Sequence, residues 1–542
     1  MATALGQRAL APLLGWFQAL TGAGSTGEAG QQHLQKMVAS LEGLDYAAAG
    51  HKLAHAQTKM MRALLDFRGA TEHCEQLSSK ATETAVDAFE RHSIELATAP
   101  EWDPGDLEAR YREWLDCVAC SYSKLLRDDD YLLAFGARLN AAADLAQAVH
   151  EWVAAFPMFE TSSDSWLPSP PSQLTTEPSR APPSRRGPLP PQGDPLARAQ
   201  QQLTAFQQRA VQRLSALRGR GRAGNGSWAR EVVWQHQGIQ LYRYRPEGPA
   251  TSGIAPLLVV YAMVNRPGML DLHERRSLLR GLLQHGVEVY LLDWGDPGTS
   301  RQRVSLDDHL TQYLAQCVDV VLRRSKQQQI NLLGVCQGGV FALCYAALNP
   351  ERVARLVTMV TPVDFHSPDN DLARLARHVD FERLGAASGN VPGGLLNALF
   401  LSLSPIRLGL HKYLDLIKAR ADPEQLEDFL RMESWIYDSP DQPGRAFAEF
   451  GRQFIQANAL TRGLAHIAGQ RIDLGQIRCP VLNVYATEDH LVPPASAQAL
   501  RRLLPAAKYR EYAFKGGHIG IYVSRRAQGR VAGELAAWLE EP

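Results

Sequence analysis

Apolar positions along this chain change their period twice. Between residues 33 and 156 they recur at helical spacing, as in Trp114, Leu115, Val118, Tyr122, Leu125 and Leu126, and prolines are few. From Pro157 to about Pro195 the pattern gives way to proline, serine and threonine, as in Leu167-Pro168-Ser169-Pro170-Pro171. Such a stretch has too little apolar surface to bury a core and predicts an extended tether. A helix rich in glutamine and alanine is predicted from Leu196 to Leu217. From about Ser227 the period shortens to that of strands. Glu231–Trp234 and Gln240–Tyr244 come first, then apolar runs at Leu257–Ala262, Val287–Leu292, Ile330–Val335, Leu356–Val360 and Val481–Ala486. Amphipathic stretches separate these runs, which predicts a mostly parallel sheet with helices on both faces. The rhythm breaks between Val363 and about Ile477. The expected organisation is a helical region over 1–156, a linker over 157–195, a helix over 196–222 and an α/β domain over 223–542, with an insertion at about 364–477.

Composition narrows the possibilities. A chain of 542 residues predicts two or three domains, and 45% apolar content supplies their cores. The 57 basic residues balance 57 acidic ones, so nothing points to nucleic acid or an anionic membrane surface. Seven cysteines, without disulfide-like spacing, predict a reducing, cytoplasmic setting. The run Arg8 to Leu20 faintly resembles a secretion signal, but Pro12, Gly15 and Gln18 interrupt it. It reads as a short amphipathic contact element. No run reaches the roughly 18 apolar residues of a membrane span. Cys117 and Cys120 form a lone C-x-x-C inside a predicted helix with no second pair, which predicts no metal or redox role.

The candidate chemistry sits in Gly334-Val335-Cys336-Gln337-Gly338-Gly339. This segment follows a strand and opens a helix, so Cys336 occupies the apex of a sharp turn that needs small neighbours. G-x-C-x-G is the nucleophile elbow of the α/β-hydrolase fold with sulfur in place of oxygen. The turn lifts the thiol off the sheet and points the positive end of the helix dipole at it, favouring thiolate. In that fold the nucleophile is followed in the chain by an acid and then a histidine. Asp489 follows the Val481–Ala486 strand, and His518 follows Tyr509–Phe514 through Gly516-Gly517. The histidine is expected to take the thiol proton while Asp489 fixes its tautomer. A second oxyanion donor comes from the loop after an earlier strand. The expected hole is therefore the backbone N–H of Gln337 with that of Val264, in Val264-Asn265-Arg266-Pro267. The insertion, placed where such folds carry a cap, is expected to shape a substrate channel. Trp435, Ile436 and Tyr437 are its candidate lining residues.

These residues sit among longer segments that resemble the polyhydroxyalkanoate synthases, most closely the catalytic subunit of their two-subunit, class III type. The resemblance spans roughly residues 225–540. It rests on Tyr261-Ala262-Met263-Val264-Asn265-Arg266-Pro267, Leu291-Leu292-Asp293-Trp294-Gly295, the elbow, Met359 to Phe365, Gly389-Asn390-Val391-Pro392-Gly393, Asp438 to Gln442, Asp489-His490 and Gly516-Gly517-His518. It places the family's catalytic cysteine, aspartate and histidine on Cys336, Asp489 and His518, with Asp489 either orienting His518 or helping to activate the attacking hydroxyl. Trp114 to Tyr122 and Tyr131 to Asn140 resemble, more loosely, the non-catalytic partner subunit of the same class. The chain then reads as a synthase fused to its own activator. In one respect it departs from the family pattern: Asp293-Trp294-Gly295 is usually followed by an aromatic residue, and here by Asp296.

The resemblance implies polymerisation of (R)-3-hydroxyacyl-coenzyme A, with short acyl chains as is usual for class III, into polyester. Coenzyme A is a leaving group, and no cofactor or metal is expected. Sulfur suits that task, because exchanging one thioester for another keeps the acyl group activated. The implied partners are the growing polyester chain and its granule surface in the cytoplasm, with the enzyme a homodimer or higher homo-oligomer. Two other readings of the same residues stay open: a cysteine hydrolase acting as thioesterase or polyester depolymerase, and a non-catalytic granule scaffold.

Overall fold

The computed structural model describes residues 50–97, 107–154, 229–246, 254–387, 389–403 and 423–541. The tether, the helix predicted over Leu196–Leu217 and the Arg8–Leu20 run lie outside the described residues.

Eight strands form one mixed sheet: β1 (Arg230–His236), β2 (Ile239–Tyr244), β3 (Leu257–Val260), β4 (Val289–Asp293), β5 (Ile330–Val335), β6 (Val353–Met359), β7 (Val481–Ala486) and β8 (Tyr509–Phe514). Their spatial order is β1-β2-β4-β3-β5-β6-β7-β8. Strand β2 runs antiparallel to both its neighbours, and the pairings from β4 through to β8 are parallel. Side chains in a strand point alternately to the two faces. Accordingly Leu258, Val260 and Leu332 join one buried cluster with α5 (Ala315–Ser325) and α6 (Gln337–Leu348). Leu257, Val259, Leu333 and Val335 join the opposite cluster, under α4 (Leu278–Gln284) and α11 (Arg530–Glu540). Burial on both sides explains why the central strands read as continuous apolar runs rather than alternating ones.

Between β6 and β7 the chain forms α7 (Phe381–Ala387), α8 (Gly393–Leu403), α9 (Pro423–Tyr437) and α10 (Gly444–Phe450). A two-stranded pairing of Asn390–Val391 with Gln442–Pro443 ties α8 and α9 back to α10. Helices α7 and α10 meet through glycines. A Cβ on Gly444 would lie 2.0 Å from the Gly385 carbonyl oxygen.

The N-terminal region is a helical bundle of α1 (Gly50–Ala97), α2 (Leu107–Leu125) and α3 (Asp129–Ala154). It packs on the insertion through one shared apolar cluster. Tyr131, Leu132, Phe135 and Leu139 of α3 meet Leu375, Ala376, Val379, Phe381 and Leu384. Asn140 clasps the insertion from both ends of its amide. Its Nδ2 donates to His378 O at 3.1 Å, and its Oδ1 accepts from Asp380 N at 2.7 Å. Cys117 and Cys120, one turn apart, lie within α2.

Candidate active site

The turn between β5 and α6 holds Cys336 at φ 53°, ψ −123°, a conformation that costs a non-glycine residue about 1–3 kcal/mol. Three glycines make room for it. A Cβ on Gly334 would lie 2.4 Å from Gly339 Cα, one on Gly338 2.1 Å from Val260 O, and one on Gly339 1.8 Å from Thr361 Oγ1. The Cys336 amide donates to Met359 O at 2.9 Å, fixing the turn to the end of β6. The thiol is half-buried, between the sheet cluster and a small group of Tyr485, Val492 and Ala497.

Parallel pairing of β7 with β8 brings the acid and the histidine to the same edge of the site. Beyond the strand ends the two loops stay zipped: Thr487 N donates to Phe514 O at 2.8 Å, and Glu488 N to Gly516 O at 2.9 Å. Asp489 Oδ1 accepts from the amides of Leu491 at 2.9 Å and Val492 at 2.8 Å, leaving Oδ2 for His518 Nδ1 at 2.7 Å. Only 1% of the Asp489 side chain and 11% of the His518 side chain are exposed. Cys336 lies within electrostatic reach of the same ring. With Nδ1 engaged by the carboxylate, Nε2 is the ring atom left for sulfur. Burial works against a charged imidazole, but the charge of Asp489 and then that of Cys336 outweigh it and push the His518 pKa up to about 10. Such a ring is a strong base toward a thiol. Adjacent His490 is exposed.

The candidate oxyanion donors come from two elements that touch. Gln337 opens α6, and Val264 lies in the loop after β3. The Gln337 side chain reaches that loop, its Oε1 accepting from Met263 N at 3.0 Å.

A family model described as the alpha/beta hydrolase fold matches residues 255–524. Among curated proteins, the poly(3-hydroxyalkanoate) polymerase subunit PhaC of Allochromatium vinosum is 44% identical over 342 residues, covering 63% of this chain and 96% of that protein. The subunits of the same name from Thiocystis violacea and Synechocystis are each 46% identical. They cover 58% of this chain and 88% and 85% of their own lengths. The chain belongs to the PhaC family of poly(3-hydroxyalkanoate) polymerases.

As a PhaC-family enzyme it is by family an acyltransferase. More than a third of this chain lies beyond its match to the A. vinosum subunit. Of the three channel candidates, Trp435 is 4% exposed, and its Nε1 donates to Arg266 O at 2.7 Å. It thus ties α9 to the oxyanion loop. Ile436 packs on the same apolar cluster as Cys336, and its carbonyl accepts from Asn397 Nδ2 at 2.7 Å. The side chain of Tyr437 lies outside the described residues.

Two tyrosines of the site were not legible as motif residues. Tyr261 and Tyr522 are buried with their hydroxyls 3.5 Å apart, both within electrostatic reach of Cys336. Burial pushes both pKa values up, so both hydroxyls stay protonated. Tyr522 lies four residues beyond His518, in a short helix over Gly520–Val523, and that proximity is the local signal that could have found it. Strain was missed as well. Val360 has φ 44° at the end of β6, where its amide donates to Val484 O at 2.8 Å.

Proposed function

We propose that this chain polymerises (R)-3-hydroxyacyl-coenzyme A, with short acyl chains, into polyester carried on Cys336 as a thioester. The observation that supports this most is the 44% identity across nearly the whole of the A. vinosum polymerase subunit. The geometry suits the chemistry in the following way. His518 Nε2 takes the Cys336 proton, and the thiolate attacks the thioester carbonyl. The oxyanion that forms is met by the N–H groups of Gln337 and Val264, each such donor contributing about 3 kcal/mol to the transition state. The carbon–sulfur bond to coenzyme A breaks, and the departing thiolate takes the proton from His518. The 3-hydroxyl of a second acyl unit or of the growing chain then gives its proton to His518 and attacks an acyl thioester; the ester link forms as the carbon–sulfur bond breaks, and the released thiolate takes that proton back. Asp489 keeps His518 oriented with Nε2 toward sulfur. Water must lose to the hydroxyl in the second step, which calls for a dry site beneath the insertion.

In this reading the enzyme is of the class III type, and the bundle α1–α3 takes the place of a separate partner subunit. Incubating the purified protein with 3-hydroxybutyryl-coenzyme A tests the proposal. Insoluble polyester accompanying coenzyme A release is expected. Stoichiometric soluble 3-hydroxybutyrate without polymer would replace the synthase reading with that of a thioesterase.

A further inference from the structure

The proposed reaction uses only the backbone N–H of Gln337, yet the residue is 6% exposed and its side chain is held inside the fold. Its Oε1 accepts the Met263 amide at 3.0 Å, one residue before Val264. The neighbouring Gly338 has no room for a side chain, because a Cβ there would lie 2.1 Å from Val260 O and 2.8 Å from the Tyr261 carbonyl carbon. The first turn of α6 and the loop after β3 are therefore in direct backbone contact. The loop is held from its outer side too. Trp435 Nε1 donates to Arg266 O, while the Arg266 guanidinium pairs with Asp296 at 2.9 Å and with Asp438 at 3.1 Å. Ser439 Oγ bonds Asn265 Oδ1.

An amide that donates within the fold fixes the plane of its own peptide, and the Val264 N–H is then separated from that fixed plane only by the φ and ψ rotations of Met263. We propose that Gln337 Oε1 is a positioning group: it holds the Met263–Val264 segment against the elbow, so that one residue sets both donors of the oxyanion hole. This inference rests on the functional reading above and deepens it. It also gives Asp296 a task, since its carboxylate anchors the outer side of the same loop through Arg266.

Gln337→Met keeps the side chain's length and removes the acceptor, and Gln337→Asn keeps an amide that falls one methylene short. Both are compared with wild type for coenzyme A release from 3-hydroxybutyryl-coenzyme A and for amide hydrogen exchange over residues 262–266. Thermal unfolding shows that each is folded, and either variant suffices if the other does not fold. Losing a hole donor outright costs ~10²–10³ in rate, so a displaced one should lower kcat by roughly 10- to 1000-fold with KM within about threefold. Exchange at Met263 should accelerate in both. A kcat within about twofold of wild type, or a raised KM at unchanged kcat, overturns the positioning role. If wild type itself releases no coenzyme A, the functional reading fails, and exchange alone decides the clamp: faster exchange retains it and unchanged exchange removes it.

Discussion

His518 is the residue whose protonation couples the site to the rest of the fold. Its pKa of about 10 in the folded protein lies above the ordinary 6.5. A raised value means that the contacts with Asp489 and Cys336 contribute stability that is complete below about pH 6.5 and is lost as pH rises through about 10. The urea midpoint of wild type should therefore exceed that of His518→Gln most at about pH 6, with the gap closing toward about pH 10. A gap that widens with pH would contradict the charged-ring account. His518→Gln removes the base that faces the thiol, so it should slow iodoacetamide alkylation of Cys336 at about pH 7 by about tenfold or more. Equal rates would mean that the imidazole does not draw the thiol proton. Cys336, Asp489 and His518 were legible in the sequence because each sits in a short segment with its own turn chemistry: an elbow, a strand end, a Gly-Gly bend. Tyr261 and Tyr522 were not. They become neighbours only when the residue after β3 meets the short helix Gly520–Val523 beyond β8, and neither segment alone carries a mark of that meeting.

At the scale of elements, the elbow is the part with least tolerance. Gly338→Ala forces a methyl group against Val260 O, and neither backbone has room to yield. Overpacking of this kind costs about 3 kcal/mol. Thermal unfolding should show a midpoint several degrees lower, and an unchanged midpoint would mean that α6 and β3 separate more easily than their contact suggests. Gly334 and Gly338 follow from the turn motif, but the need for glycine at 339 comes from Thr361, which follows β6, and so from a strand distant in sequence. The central strands were legible as apolar runs for a related reason, since a strand buried on both faces shows its burial locally. Their spatial order was not, because apolar runs do not specify which strand pairs with which. Asp296 stood out as a departure from the family pattern, and its partner Arg266 belongs to a loop thirty residues earlier.

For the whole molecule, the new feature is a helical bundle seated on the insertion rather than on the sheet. Helical periodicity announced α2 and α3, but the docking face was not legible, because Tyr131 and Phe135 would read the same inside any bundle. Asn140→Ala removes two hydrogen bonds and strands the Asp380 amide, at a cost of about 1–3 kcal/mol. Amide exchange near residue 380 should accelerate, and unchanged protection there would mean that the bundle is held by apolar contact alone. Deleting residues 1–195 should sharply lower polymerisation, because a tethered module acts at an effective concentration of about millimolar. A truncated enzyme as active as wild type would remove any activating role for the bundle. Chain growth rests on one sulfur, and acid quenching during turnover of 3-hydroxybutyryl-coenzyme A, followed by peptide mass spectrometry, shows whether that sulfur carries the acyl group. The account predicts hydroxybutyryl units on the Cys336 peptide, released by hydroxylamine, and no polymer from Cys336→Ala. Polymer made by that variant, or by wild type whose Cys336 stays unmodified throughout, would contradict it.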